Sequence, residues 1–403
     1  MPETKATRAV KVAVVGGGIG GLSAAVFLSQ QGHEVTVFEQ APELTEVGAG
    51  LVMAPNAVRL LRRMGVLDRF TATAVQLKSG WEFRRWEDGT VLSAEDLDVR
   101  CQELFGEHTY VAHRADLVET IRSAVPADRL RLGGRVVSVD QDADGVTLVL
   151  DDGTTHVAEV LVGADGVHSM VRDHVVGSSS AEYSGMCAFR ALVPADKAPE
   201  VAKLPAQTLW IGPGHHLVHY PISSGQYINL VAFAPAGDYT RESWTATVDL
   251  AEFQAEFDGW DPRLQELIAQ AERPGRWALL DRAPLKRWSY GRITLMGDAA
   301  HPMFPFFAQG AAQSIEDAAV LADALTRHSD NPVEALVEYQ ERRIGRTTRL
   351  QEMSHARKDT NHLPDGPEQR ARDAELADGD PLVKAGWIYS YDPANDLESS
   401  VSA

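Results

Sequence analysis

The chain has 403 residues, 44% hydrophobic and 24% charged, enough for a full core and more than one domain. Its net charge of −19 excludes the basic footprint that nucleic acid or an anionic membrane surface requires, so any anionic ligand must be held by a local site. Cys101 and Cys187 make neither a disulfide framework nor a metal-ligand spacing, and no stretch approaches the roughly 20 apolar residues of a membrane span.

The opening "MPETKATRAVKVAVVGGGIGG" lacks the long apolar region of a signal peptide, so a cytoplasmic location is expected. Val10 to Val15 is continuously apolar, as in a strand covered on both faces of a parallel sheet. Gly16, Gly18 and Gly21 follow as G-x-G-x-x-G, and "LSAAVFLSQQG" has helical spacing that stops at Gly32. The next strand, "EVTVFE", ends at Glu39, 18 residues after Gly21. Strand, glycine turn, helix and terminal acid together read as a dinucleotide site, with pyrophosphate at the helix N-terminus and ribose on the acid.

Further along, "GVTLVLDDGTTHV" reads as a hairpin turning at Asp-Asp-Gly, and "GADG" at Gly163–Gly166 follows a strand. "LWIGPGHHLVHYPI" and "QYINLVAF" alternate like strands of a mostly antiparallel sheet. In the first of these, His216, Val218 and Tyr220 share one face, and His215, Leu217 and His219 the other. His215 and His219 would stand ~13 Å apart at ~3.3 Å per residue, so a metal site using all three histidines is excluded. "RITLMG" then ends in Gly297-Asp298, a Pro-rich loop carries His301 and "MFPFF", and a helix starts near Gly310. "ALVEYQERRIGRTTRLQEMSHARKD" is a polar-faced helix, and the segment after Leu363 reads as a loose tail with one aromatic patch, "GWIYSY".

These motifs, in this order, resemble the single-component FAD-dependent aromatic hydroxylases related to p-hydroxybenzoate hydroxylase. "VGAGL" at 47–51, "APN" at 54–56 and "HRADL" at 113–117 also look like family segments. The nearest subgroups are the 3-hydroxybenzoate 6-hydroxylases, salicylate hydroxylases and 6-hydroxynicotinate 3-monooxygenases. The resemblance implies an α/β fold: a Rossmann-like FAD-binding domain, an inserted, mostly antiparallel sheet domain for substrate, and a C-terminal helical segment. The expected boundaries are 1–75, 105–180 and 281–355 for the FAD domain, 76–104 and 181–280 for the sheet domain, and 356–403 for the C-terminal helix and tail.

The resemblance also assigns residues. Gly16, Gly18, Gly20 and Gly21 would form the pyrophosphate turn, with Glu39 on the adenosine ribose and Gln40 beside it. Val136 would lie by the adenine, and Val52 beside the cofactor. Arg114 would reach the FAD and couple it to nicotinamide binding. Asp165 belongs to a motif serving both FAD and NAD(P)H, and Asp298 would bind ribityl or ribose oxygens. The helix start at Gly310 and Ala311 would face the flavin pyrimidine.

The activity so implied is hydroxylation of a phenolic acid such as a hydroxybenzoate or salicylate through a flavin C4a-hydroperoxide, with NADH or NADPH and O₂ as co-substrates. His216 and Tyr220 would activate and orient the phenol, and "MFPFF" would wall off water. His301 is expected to pack its loop and bond to backbone. Hydroxynicotinate relatives carry His at the positions of Val52 and Phe306, and 3-hydroxybenzoate enzymes carry Gln at Pro305. The alternatives are an N-heteroaromatic acid as substrate, a flavin dehydrogenase or reductase without oxygen insertion, and a cofactor-free escort protein; the intact glycine fingerprint, Glu39 and Asp298 weigh against the last. No metal, nucleic acid or stable membrane association is expected, and the protein is expected to be a monomer or homodimer.

Overall fold

The computed structural model describes residues 8–44, 50–177, 182–237, 239 and 247–395; Val47–Ala49 of the "VGAGL" segment lie outside them. Six strands form one sheet, in the order Ser289–Tyr290, Ile293–Leu295, Val160–Gly163, Lys11–Val15, Glu34–Glu39 and Leu130–Leu132. All but the short Ser289–Tyr290 edge pair in parallel. The helices Ile19–Gln30 and Gly310–Arg327 pack against each other in this layer. That covering explains why Val12 to Val15 and Val160 to Val162 are apolar without alternation: both faces are buried.

Seven strands form the second sheet, in the order Glu272–Asp281, Glu182–Pro194, Tyr227–Pro235, His215–Ile222, Ala206–Gly212, Ser79–Arg85 and Val91–Asp96. Only Ala206–Gly212 and Ser79–Arg85 run parallel, so the sheet is mostly antiparallel, as expected. Alternation sorts its two faces. Cys187, Phe189 and Ala191 pack under the helices Leu250–Ala255 and Pro262–Ala269, against Phe253, Phe257 and Leu264. Met186 and Ala188 turn the other way, toward Phe233, Trp277, Phe304 and Phe306.

The helix Pro332–Asn361 links the two layers. At ~1.5 Å per residue its 30 residues span ~45 Å. Leu336, Tyr339, Arg343, Thr347, Leu350 and Ser354, three or four apart, form its buried stripe. Near its start Tyr339 donates to the Leu295 carbonyl of the first sheet (3.1 Å); near its end His355 pairs with Asp281 of the second (2.7 Å). A boundary after residue 355 therefore falls inside one continuous helix.

The expectation of a loose tail after Leu363 is corrected. Pro367–Asp378 and Pro381–Tyr389 are helices, each with Pro in its first turn, where no intrahelical donor is needed. Leu382, Ile388 and Tyr389 are buried in the cluster that contains Val52 and Tyr220. Trp81 Nε1 donates to the Tyr389 hydroxyl at 3.0 Å. The aromatic patch is a piece of core.

Candidate active site

Steric limits shape the glycine turn. Gly16 has φ +109°, and a Cβ there would lie 2.3 Å from the Ala164 carbonyl oxygen; a Cβ at Gly21 would lie 1.9 Å from the Gly16 oxygen. Gly18 faces open space. The helix Ile19–Gln30 begins here with no side-chain cap, so its first amides are available to an anion at the positive end of the dipole. Glu39 closes the neighbouring strand, and its carboxylate accepts from the Gly17 (2.7 Å) and Ala41 (2.8 Å) amides. Gln40 follows directly. The Val136 side chain packs into the core, while the nearby Gly134 amide donates to the Glu39 carbonyl (2.8 Å) and holds this segment beside it.

A cavity of about 530 Å³ runs from this turn to the second sheet. Gly20, Gly297, Asp298, Gly310 and Ala311 line one end; His216, Tyr220, Arg190, Phe233 and Trp277 line the other, with Val52 and Arg114 also in its wall. Asp298 is exposed, in a single turn at the end of its strand. Gly310 opens an 18-residue helix without a side-chain cap. Gly297 is locked in place from behind: Asp317 accepts from its amide (2.9 Å), from His301 Nε2 (2.6 Å) and from Arg343 (2.7 Å), and Arg343 also pairs with Glu316 (2.7 Å). These groups are all buried. Burial would raise the Asp317 carboxyl, but the charges of His301 and Arg343 win and hold it at about 2. His301 thus braces the loop through a carboxylate, where a backbone partner was expected.

The Asp165 carboxylate accepts from the Ser169 hydroxyl and the Val171 amide (3.1 Å), so it caps its own loop, while Gly166, Val167 and His168 of the same segment line the cavity. Burial pushes its carboxyl up against those hydrogen bonds.

On the strand His215–Ile222, His216, Val218 and Tyr220 line the cavity. His216 is 1% exposed, stacked on Phe233 with ring centres 4.4 Å apart, and its Nδ1 meets His362 Nε2 at 2.6 Å. Burial first, then the nearby His362 and Arg357, drive its proton affinity well below the ordinary value, so the ring is neutral. Burial raises the Tyr220 phenol, which Arg190 only partly counters, so its hydroxyl keeps its proton. On the opposite face, His215 pairs with Glu256 (3.0 Å) beside Phe257, and His219 is buried near Arg84. Among the described residues no group of His, Cys, Asp or Glu could hold a metal ion.

Two residues of the site escaped the sequence reading. Arg190, stacked 4.3 Å from the Trp277 ring centre, is pulled by burial to about 10. Its signal was available: in "CAFRALVP" it is a lone cation on the face shared with Ala188 and Met186. His362, which follows the last turn of the long helix, had no local signal.

A family model described as the FAD binding domain matches residues 9–354. A 3-amino-4-hydroxybenzoate 2-monooxygenase of Streptomyces platensis is 40% identical, over 95% of this chain and 96% of its own length. A 3-hydroxybenzoate 6-hydroxylase of Aquipseudomonas alcaligenes is 37% identical, over 94% and 96%. Among solved structures, Klebsiella pneumoniae HpxO complexed with FAD and uric acid aligns with a TM-score of 0.82 at 28% identity, over 96% of this chain and 97% of that one. The chain belongs to the FAD-dependent aromatic hydroxylases of the FAD binding domain family. It is an FAD-dependent monooxygenase. Among the described residues, no helix is long and apolar enough to cross a membrane.

Proposed function

We propose that this protein hydroxylates a small phenolic acid, with NADH or NADPH as electron donor and O₂ as oxygen source. The observation that carries this reading is the strand face on which His216 and Tyr220 enter a cavity whose far end is the glycine turn and Gly297-Asp298. The residues there fit FAD. A turn that admits no Cβ at Gly16 or Gly21 leaves Gly18 and the helix amides open to a pyrophosphate. Glu39 would hold the adenosine ribose, Asp298 a sugar or ribityl hydroxyl, and the amides at Gly310 and Ala311 the ring edge. Bound FAD would carry electrons from the pyridine nucleotide to O₂ and so supply an electrophilic oxygen.

The chain's own residues prepare the other reactant. A phenolate attacks an electrophile far better than a phenol does, so a base at the phenol oxygen raises reactivity. His216, neutral because it is buried, accepts that proton. Tyr220 keeps its proton and donates to the phenol oxygen, fixing the ring at the reacting distance. Arg190 provides positive charge in the same wall and matches the carboxylate of a benzoate. Phe304 and Phe306 close the cavity with apolar surface that excludes water.

The relatives' names make 3-amino-4-hydroxybenzoate and 3-hydroxybenzoate the first rings to try. The test is a panel of hydroxybenzoates, aminobenzoates and hydroxypyridines, scored by NAD(P)H oxidation and product analysis. Turnover of one or more hydroxybenzoates to a ring-hydroxylated product is expected. Product from hydroxypyridine acids alone would move the substrate class to N-heteroaromatics, and NAD(P)H oxidation that never yields product would overturn the reading.

A further inference from the structure

The contact between His216 and His362 joins residues 146 apart in the chain, and phenol activation as proposed above does not require it. It closes because the long helix ends at Asn361 against the pocket strand: the Gly214 amide donates to the His362 carbonyl at 3.1 Å. His216 is clamped between Phe233 and Phe306, with ring centres 4.4 and 5.3 Å away, so its ring has one orientation. At 2.6 Å the two facing nitrogens share one proton, because two lone pairs or two N–H groups would repel.

The direction of that hydrogen bond follows from the role proposed for His216. A base must present a bare nitrogen to the cavity that His216 lines, so Nε2 carries no proton; Nδ1 then carries it and donates to His362 Nε2. We propose that His362 is a positioning residue that holds His216 in this tautomer and takes over the proton His216 removes from the substrate phenol. The proposal rests on the aromatic-hydroxylase reading.

The transfer balances. The phenol O–H breaks as His216 Nε2–H forms, and the His216 Nδ1–H passes to His362 Nε2. His362, partly exposed just beyond a helix C-terminus, is the better place for a cation and a route to solvent. The titratable groups facing the pair are His215 on the strand, Arg357 and Lys358 on the long helix and Arg372 on the next helix. All of these are basic, and with burial they keep both rings neutral in the resting state, His362 down at about 4.

The test uses the FAD-loaded protein. First, ¹⁵N spectra of histidine-labelled protein, with no substrate present, read the tautomer: a protonated Nδ1 and bare Nε2 are expected for His216, and the reverse would overturn the proposal. Second, a nitro-substituted hydroxybenzoate, whose phenolate absorbs visibly, reports ionisation of the bound phenol without turnover. His362→Ala should raise the apparent pKa of the bound phenol by about one unit, a roughly tenfold fall in the phenolate-to-phenol ratio at a given pH, at unchanged flavin content. His362→Gln, whose amide oxygen accepts the same hydrogen bond, should restore the tautomer. An unchanged phenol pKa in His362→Ala would refute the relay. Failure of every hydroxybenzoate to bind would instead refute the functional reading, and the ¹⁵N result would still test the histidine pair.

Discussion

Gly50→Ala tests how closely the position of Tyr220 is set. The Gly50 amide donates to Asn229 Oδ1 at 2.7 Å, bringing the short strand Gly50–Met53 hard against the pocket strand and its neighbour. A Cβ on Gly50 would lie 2.5 Å from Tyr220 Cε2, and 2.7 and 2.9 Å from Cγ and Nδ2 of Asn229. Ordinary contact begins at 3.4 Å, so the tyrosine ring must retreat by about 1 Å. A misplacement of that size at a reacting centre can cost ~10²-fold in rate. The assay compares product formed, hydrogen peroxide released and NAD(P)H consumed, with the flavin-to-protein ratio measured on the same sample. The variant should keep its flavin and still oxidise NAD(P)H, but divert most electrons to peroxide and lose ~10²-fold in hydroxylation. Full coupling at the wild-type rate would refute the argument that Tyr220 orients the ring.

Tyr220→Phe should likewise stay yellow and release more peroxide per product, whereas His219→Ala, on the opposite strand face, should stay coupled; the reverse pattern would put the pocket on the other face. Arg190→Met should raise the KM for a hydroxybenzoate roughly 10- to 100-fold, the cost of a hydrogen bond to a charged group, and leave the KM for a phenol lacking the carboxylate nearly unchanged. Asp317→Asn should cost ~3–5 kcal/mol in urea unfolding at pH 7, because it breaks a buried ionic cluster. The folded Asp317 carboxyl lies at about 2 against an ordinary 3.8, so its stabilisation is present above about pH 4 and lost as pH falls through 2. The gap between variant and wild type should therefore narrow over that interval.

The parts legible in the sequence were those with local periodicity. Val10–Val15, the glycine turn, the helix stopping at Gly32 and the alternating strand His215–Ile222 each declare themselves within a dozen residues. The two helices after Leu363 were not legible because the segment is rich in Pro, Asp and Gly, although Pro at a first helical position starts a helix and "EQRARDAELAD" is rich in helix formers. The direction of the Asp165 carboxylate depends on whether Ser169 and Val171 reach it, which spacing does not determine. His362 reaches His216 only because a 30-residue helix carries it there.

Whether this cavity inserts oxygen into a phenolic acid is read with ¹⁸O₂. The FAD-loaded protein is incubated with NADH or NADPH, ¹⁸O₂ and 3-amino-4-hydroxybenzoate or 3-hydroxybenzoate, and the products are read by mass spectrometry. A ring-hydroxylated product carrying one ¹⁸O atom is expected for at least one of these acids. Complete recovery of the label as hydrogen peroxide with both acids, beside a protein that holds its flavin and oxidises NAD(P)H, would contradict it.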